Sequence, residues 1–211
     1  PIASTTDEGA RLNVVLGSDA ASTQRVLEFT PKTIDSDAYQ WMQSSLGTGE
    51  ARRVGFVLRG GIRKRDAPLR SIQMSAEADL DAVIMRPELP LAERVLGHVS
   101  IDNALVTFDI DSATVGSLAV SSGLVQVGKV LATRLLTAHA TIEGDLPKAV
   151  NHVAALPYLP TRVSQVLSDL TTSGGVLGHL ALSVPIKGAR RIPDVSTRVL
   201  IRDASLSFAG L

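Results

Sequence analysis

The chain contains no cysteine. Disulfides, thiolate metal sites and cysteine nucleophiles are therefore excluded, and the absence suits an oxidising compartment without requiring one. Aromatic residues are only 3% of the chain, with one Trp and two Tyr, which argues against a carbohydrate-active β-solenoid enzyme whose site would stack sugars on rings. Charge of one sign is also lacking. Lys+Arg and Asp+Glu are 21 each, and no basic tract stands out, so no net field draws the chain to nucleic acid or to an anionic membrane. No apolar run is long enough to span a bilayer, and no signal peptide is recognisable. The four histidines (His98, His139, His152 and His179) are scattered without a His-Glu-x-x-His motif. No Gly-x-Ser-x-Gly elbow occurs, and Gly47-Thr48-Gly49 lacks the third glycine and the lysine of a phosphate loop. The chain reads as a non-enzyme with no cofactor and no metal.

What is present is aliphatic and one-sided. Apolar residues make up 45% and charged residues 20%, a globular balance built from Val, Leu, Ile and Ala. From Arg52 onward the apolar period is 2. Ile72, Met74, Ala76, Ala78 and Leu80 share one face, and Gln73, Ser75, Glu77, Asp79 and Asp81 the other, as in a sheet with one dry and one wet side. Val99 and Ile101 lead into a turn at Asp102-Asn103, and Val106, Phe108 and Ile110 return. Leu118 and Val120, then Val125 and Val127 after Ser122-Gly123, read as a second hairpin. Leu136, Ala138, Ala140 and Ile142 follow, then Leu180, Leu182, Val184 and Ile186. Pro185, with no N–H, should not hold a fully paired central position. The last strands are read as Thr197–Arg202 and Ala204–Phe208.

Period 3.6 is confined to two blocks. The spacing predicts helices over 19–29, 36–46, 147–155 and 161–170, packed against the sheet or over an opening. The two blocks look like one unit repeated. Gly17 and Gly144 are 127 residues apart, and Gly60 and Gly188 are 128 apart. Extending the offset of 128 carries Ile72, Ala76 and Leu80 onto Leu200, Ala204 and Phe208, though Met74 falls on Arg202. The organisation read from this is one continuous fragment of a longer array. Residues 1–60 form a helical segment plus strand, 61–141 an antiparallel β meander, 142–188 a second helical segment plus strand, and 189–211 the start of the next meander. Such arrays stack neighbouring units on a continuous core.

Three charged features invite a site. Asp79 with Asp81, and Asp109 with Asp111, are carboxylate pairs on one strand face each; a solvated strand face that discourages edge pairing explains them better than calcium or acid–base chemistry. Arg63-Lys64-Arg65 reads as a charged loop. His98, His139 and His179 lie among strand residues on the polar side.

The fold class predicted is mainly β with short amphipathic helices, an antiparallel sheet curled into a groove or closed as an ordinary sandwich. Periodicity alone leaves both open. A trough of small aliphatics suits acyl chains. Exposing lipid to water costs about 0.8 kcal/mol per methylene, so about thirty methylenes cost on the order of 24 kcal/mol and the shielding must be continuous.

A resemblance bears on the choice. Gly144-Asp145-Leu146 opens a helical stretch. Leu156-Pro157-Tyr158-Leu159-Pro160 and a second helix follow, then Ser173-Gly174-Gly175-Val176-Leu177-Gly178-His179 running into Pro185-Ile186-Lys187-Gly188. Upstream lie Pro87-Glu88-Leu89-Pro90, Val95-Leu96-Gly97-His98-Val99-Ser100-Ile101 and Leu105-Val106-Thr107-Phe108. Over about residues 10–210 this resembles the central region of YhdP-like proteins, members of the AsmA-like family of Gram-negative envelope proteins that includes TamB. The resemblance implies an inner-membrane anchor in a longer parent, a periplasmic location, and a sheet curled into a groove that passes phospholipid between the two membranes. It offers no catalytic residues. On this reading the groove lining is Ile72, Met74, Ala76, Ala78, Leu80, Val99, Ile101, Val106, Phe108, Ile110, Leu136, Ala138, Ala140, Leu180, Leu182 and Val184, and the partner is phospholipid. The alternative is a structural or adhesive β-repeat domain with a closed core.

Overall fold

The structure, a computed structural model, describes residues 5–6, 9–30, 36–61, 70–84, 90–103, 105–130, 133–156, 159–185 and 194–208. Strands predominate, as the alternation predicts. They are β1 (Thr5–Thr6), β2 (Gly9–Ser22), β3 (Gly49–Gly61), β4 (Ser71–Val83), β5 (Ala92–Asp102), β6 (Leu105–Val115), β7 (Leu118–Val130), β8 (Thr133–Asp145), β9 (Leu170–Pro185) and β10 (Asp194–Phe208). Their order in the sheet is their order in the sequence, and every pairing is antiparallel. β2 to β10 thus form a nine-stranded meander whose two ends do not meet, so the sheet is not closed into a barrel.

Four short helices sit in two connections at the same end of the sheet. α1 (Thr23–Phe29) and α2 (Ser36–Ser45) join β2 to β3, and α3 (Leu146–Ala154) and α4 (Thr161–Ser168) join β8 to β9. Strand, two helices and returning strand thus recur. The offset of 128 read from the sequence does not carry through the strands that follow. Ile72 lies opposite Leu58 on the buried face, whereas Leu200 lies opposite Leu177 on the other face and is exposed. A slip of one residue moves a strand's side chains to the opposite side of the sheet, and apolar identity alone does not register it.

The predicted helix over 19–29 begins later. Ala20, Ala21 and Ser22 still pair with Arg52, Ala51 and Glu50. Ser22 then caps α1, its Oγ accepting from the Arg25 N–H at 3.4 Å. The strand outcompetes the first helical turn because three ladder pairs are available on β3. At the far end, α4 stops at Ser168 instead of running to 170, and Leu170 opens β9. The helices predicted over 36–46 and 147–155 agree to within a residue at each end, as Ser36–Ser45 and Leu146–Ala154.

The turn at Asp102-Asn103 forms as predicted. Asn103 has φ 54, its N–H donates to the Ile72 carbonyl at 2.8 Å, and its Oδ1 accepts from the Ile72 N–H at 3.0 Å; asparagine tolerates this left-handed conformation. The hairpin predicted at Ser122-Gly123 does not form. Gly123 sits mid-strand in β7, paired with Ile110 on one side and Ala140 on the other. A Cβ there would press on the Ile110 side chain at 3.4 Å, so the glycine marks close strand approach, the other common meaning of glycine in a strand. The two final strands are likewise one, β10, carrying a bulge between Arg202 and Ser205 with Asp203 at φ 48. Pro185 ends β9. The Arg63-Lys64-Arg65 loop, Pro87-Glu88-Leu89 and Ile186 lie outside the described residues.

One face of the sheet carries the core. Val95 and Val127 are 0% exposed and Phe108 2%. The other described elements on that side are short helices, so the sheet supplies much of the cover itself by curling, as accumulated twist and bulges direct. α1 and α2 enter the curl. Met42 is buried in the main cluster with Ile72, Met74 and Leu80, and the Thr30 hydroxyl lies 4.0 Å from the Met74 sulfur.

Candidate functional site

Directly opposed residues of antiparallel strands lie on the same face, so the register traces the apolar surface across the sheet. One row runs Leu16, Phe56, Met74, Ile101, Val106, Val127, Leu136 and Val184. The next runs Ala76, Val99, Phe108, Val125, Ala138, Leu182 and Val195. A third joins Ala78, Gly97, Ile110, Gly123, Ala140 and Leu180. At about 4.8 Å per strand, eight steps from β2 to β10 give an apolar band about 38 Å long.

All sixteen residues singled out from the sequence lie on this face. Ile72, Met74, Ala76, Ala78 and Leu80 of β4 are buried, as are Ile101 of β5, Val106 and Phe108 of β6, Leu136 and Ala138 of β8, and Leu182 and Val184 of β9. Val99, Ile110, Ala140 and Leu180 are half-buried. Asp79 is exposed and Glu77 half-exposed between them, the predicted sidedness. Sequence reasoning missed Val95, Val120, Val125, Val127 and Met42 as members of the same surface. Ser122-Gly123 suggests a turn that would put Val120 and Val127 on opposite arms of a hairpin, whereas both lie on β7. Val95 follows Arg94, whose φ of 50 interrupts the alternation.

Gly97 shows how tightly the face is built. A Cβ at this position would run into the Asp109 carbonyl oxygen and come within 3.0 Å of the Phe108 ring. The phenyl ring therefore lies across β5 where only glycine leaves room. A separate cluster of Leu118, Leu146, Ala149 and Val176 seals the helix end. There the His152 ring packs over Gly116, within 2.9 Å of where a Cβ would stand, and its Nε2 is buried without a hydrogen-bond partner.

The face changes character at β10. Every residue of this strand is exposed. Val195, Val199 and Ile201 lie opposite Leu182, Gly178 and Val176 on the apolar side, yet are 56%, 49% and 44% exposed.

The polar face carries charges of both signs. Over β3 to β6 it is acidic. Glu77, Asp79, Asp81, Asp109 and Asp111 share it with Arg52 and His98. Glu50 bonds Arg52 at 2.9 Å, and this hydrogen bond and charge push the Arg52 guanidinium pKa up, which changes nothing at ordinary pH. Arg53 pairs with Glu77, and the Thr48 hydroxyl donates to Asp81. Over β8 to β10 the polar face carries His139, His179, Arg198 and Arg202 together with Glu143, Asp145 and Asp194. Among the described residues no three potential ligands come together as a metal site. Among them, too, no helix is long and apolar enough to cross a membrane.

No curated protein and no solved structure matches the chain. A family model described as YhdP protein matches residues 3–211, almost the whole length. The match spans nearly all of the sequence, and the chain belongs to the YhdP protein family.

Proposed function

We propose that this chain is a non-catalytic segment of a periplasmic bridge that carries phospholipid between the inner and outer membranes, with the apolar face of the sheet as the acyl-chain path where that face is open to solvent, at β10. The parent would be anchored in the inner membrane by a helix outside this segment. Membership in the YhdP family, a group of bridge-like envelope proteins, supports the envelope setting. The observation that carries the cargo assignment is the unbroken apolar band. It crosses every long strand and reaches β10 with Val195, Val199 and Ile201 still open to solvent. The sheet closes at neither edge, so the band can continue into neighbouring strands, as a lipid path must if no methylene is to meet water.

A second reading has its own observation. The middle of the face is packed shut, with Phe108 and Leu136 each 2% exposed, and α1–α2 lies within the curl. That is what a structural β-repeat with an ordinary core would show. Native mass spectrometry of the purified chain separates the two. Co-purifying phospholipid, lost in Val195→Asp and Val199→Asp while circular dichroism is unchanged, is the expected result. A chain that carries no lipid from envelope extracts, and a parent bearing Val199→Asp that still complements a transport-deficient strain, would leave the structural reading.

A further inference from the structure

The polar face holds a hollow of about 660 Å3 across β7 to β10. It is built from two adjacent cross-strand rows. Ser122, Thr141, His179 and Arg198 lie opposite one another in turn, and beside them run Leu124, His139, Ala181 and Ser196. The two rows thus bring two imidazoles, a guanidinium and three hydroxyls together, and no carboxylate is among the lining residues. A second, smaller hollow on the same face, of about 340 Å3, is lined by Glu77, Asp79 and Asp111 beside Arg52 and His98. The two hollows are of one sheet and of opposite charge character.

We propose that the hollow across β7 to β10 binds a phosphate group. Arg198 supplies the planar fork of donors that matches phosphate oxygens. The Thr141 hydroxyl lies 3.3 Å from Nδ1 of His179. When that nitrogen accepts the hydroxyl proton, Nε2 carries the ring hydrogen and is free to donate into the hollow. When the imidazole is protonated, both nitrogens donate and the hydroxyl turns to accept. His139 stands two residues before Thr141 on β8, on the same face and about 7 Å along the strand, and adds a second imidazole. Ser122 and Ser196 sit at the two ends of the hollow as neutral donors. The nearest acidic groups on the face are Glu143, two residues beyond Thr141, Asp194, two residues before Ser196 on β10, and Asp109, opposite Leu124 on β6; they bound the hollow without entering its lining. The ligand is a phosphate-bearing molecule, either a lipid headgroup or a dissolved phosphate. The site stands on the face opposite the apolar band, so its success or failure is independent of the acyl-chain path.

The test is a titration of the isotopically labelled chain with inorganic phosphate, followed by NMR. The expected result is saturable shifts at His139, His179 and the Arg198 side chain. Arg198→Gln should weaken binding about tenfold, the loss expected for one charge-assisted hydrogen bond. The His139→Ala/His179→Ala double variant should weaken it by a similar factor, and Asp79→Asn in the other hollow should leave it within about twofold. All these side chains are exposed, so each variant should keep the wild-type circular dichroism spectrum. Flotation with phosphatidylglycerol vesicles then separates the sources. Binding competed by phosphate and reduced by Arg198→Gln assigns a headgroup, and a phosphate response without vesicle binding assigns a dissolved ligand. Shifts that do not saturate, shifts matched by chloride, or phosphate binding unchanged in Arg198→Gln would overturn the site.

Discussion

The two helical connections begin alike and end differently. Each leaves the sheet at the end of a long strand, forms two short helices and returns as the antiparallel neighbour. Yet α1–α2 delivers Met42 into the main cluster and sets Thr30 against Met74, whereas α4 buries no residue at all and exposes Val163 and Val166. α4 is held mainly to α3, through the Ser164 hydroxyl donating to the Ala154 carbonyl at 2.6 Å. The difference lies in the neighbours each helix pair has within the described residues. Between β3 and the second connection lie five strands, β4 to β8, and α2 reaches across the curl as far as β7. After β9 there is β10, exposed along its whole length. An amphipathic helix states which side wants cover, and the neighbouring strands decide whether cover is there.

Four comparisons sharpen or break that contrast, from the largest expected effect to the smallest. Phe108→Asp and Leu136→Lys put a charge in the packed middle of the face and should each destabilise by about 4 kcal/mol or more, read as loss of soluble folded protein. If both variants instead fold with a wild-type urea midpoint, the face is open to water there and the contrast with β10 disappears. Met42→Ala should remove about 2–5 kcal/mol through the cavity it leaves, while Val166→Ala in α4 should stay within about 0.5 kcal/mol. Equal losses at the two sites would mean that α4 is buried in solution too.

Glycine positions give the third comparison. Gly97→Ala should cost about 1–3 kcal/mol, because the added methyl meets the Asp109 carbonyl and the Phe108 ring. Gly17→Ala on β2 should be close to neutral, since its nearest neighbour would be the Val54 carbonyl oxygen at 3.7 Å. The smallest difference is at the helix caps. Ser22→Ala removes the bond to the Arg25 N–H and should cost about 0.5–1 kcal/mol. Asp145→Ala removes no side-chain cap bond from α3; its ion pair with Lys148, at 2.8 Å on the surface, is worth less than about 0.5 kcal/mol. A larger loss at Asp145 than at Ser22 would reverse the ranking.

Much of this was legible in the sequence because β alternation is a local signal. β4, the turn at Asp102-Asn103 and the sidedness of β8 and β9 all follow from residues within a few positions of one another. So does the membership of sixteen residues in one face. The misreadings have a common cause. Ser122-Gly123 is turn-forming by type, yet it sits mid-strand because β6 and β8 offer ladder partners on both sides. Ala20 to Ser22 look like a helix start and are strand because β3 returns beside them. The pairing of His179 with Thr141 and Arg198 joins positions 38 and 19 residues apart, and no spacing rule on one strand reveals it.

The sequence by itself determined that this chain is an aliphatic, disulfide-free β protein with one dry face, because side-chain period and composition are written residue by residue. Tertiary structure decided the rest. The order of nine strands in an unclosed sheet, the entry of α1–α2 into the curl, the exposure of β10 and the gathering of His139, His179 and Arg198 on the polar face all depend on which strands lie beside which. That is set by twist, bulges and register summed over the whole sheet, and a single bulge at Arg202 to Ser205 is enough to change which side of β10 the residues after it present.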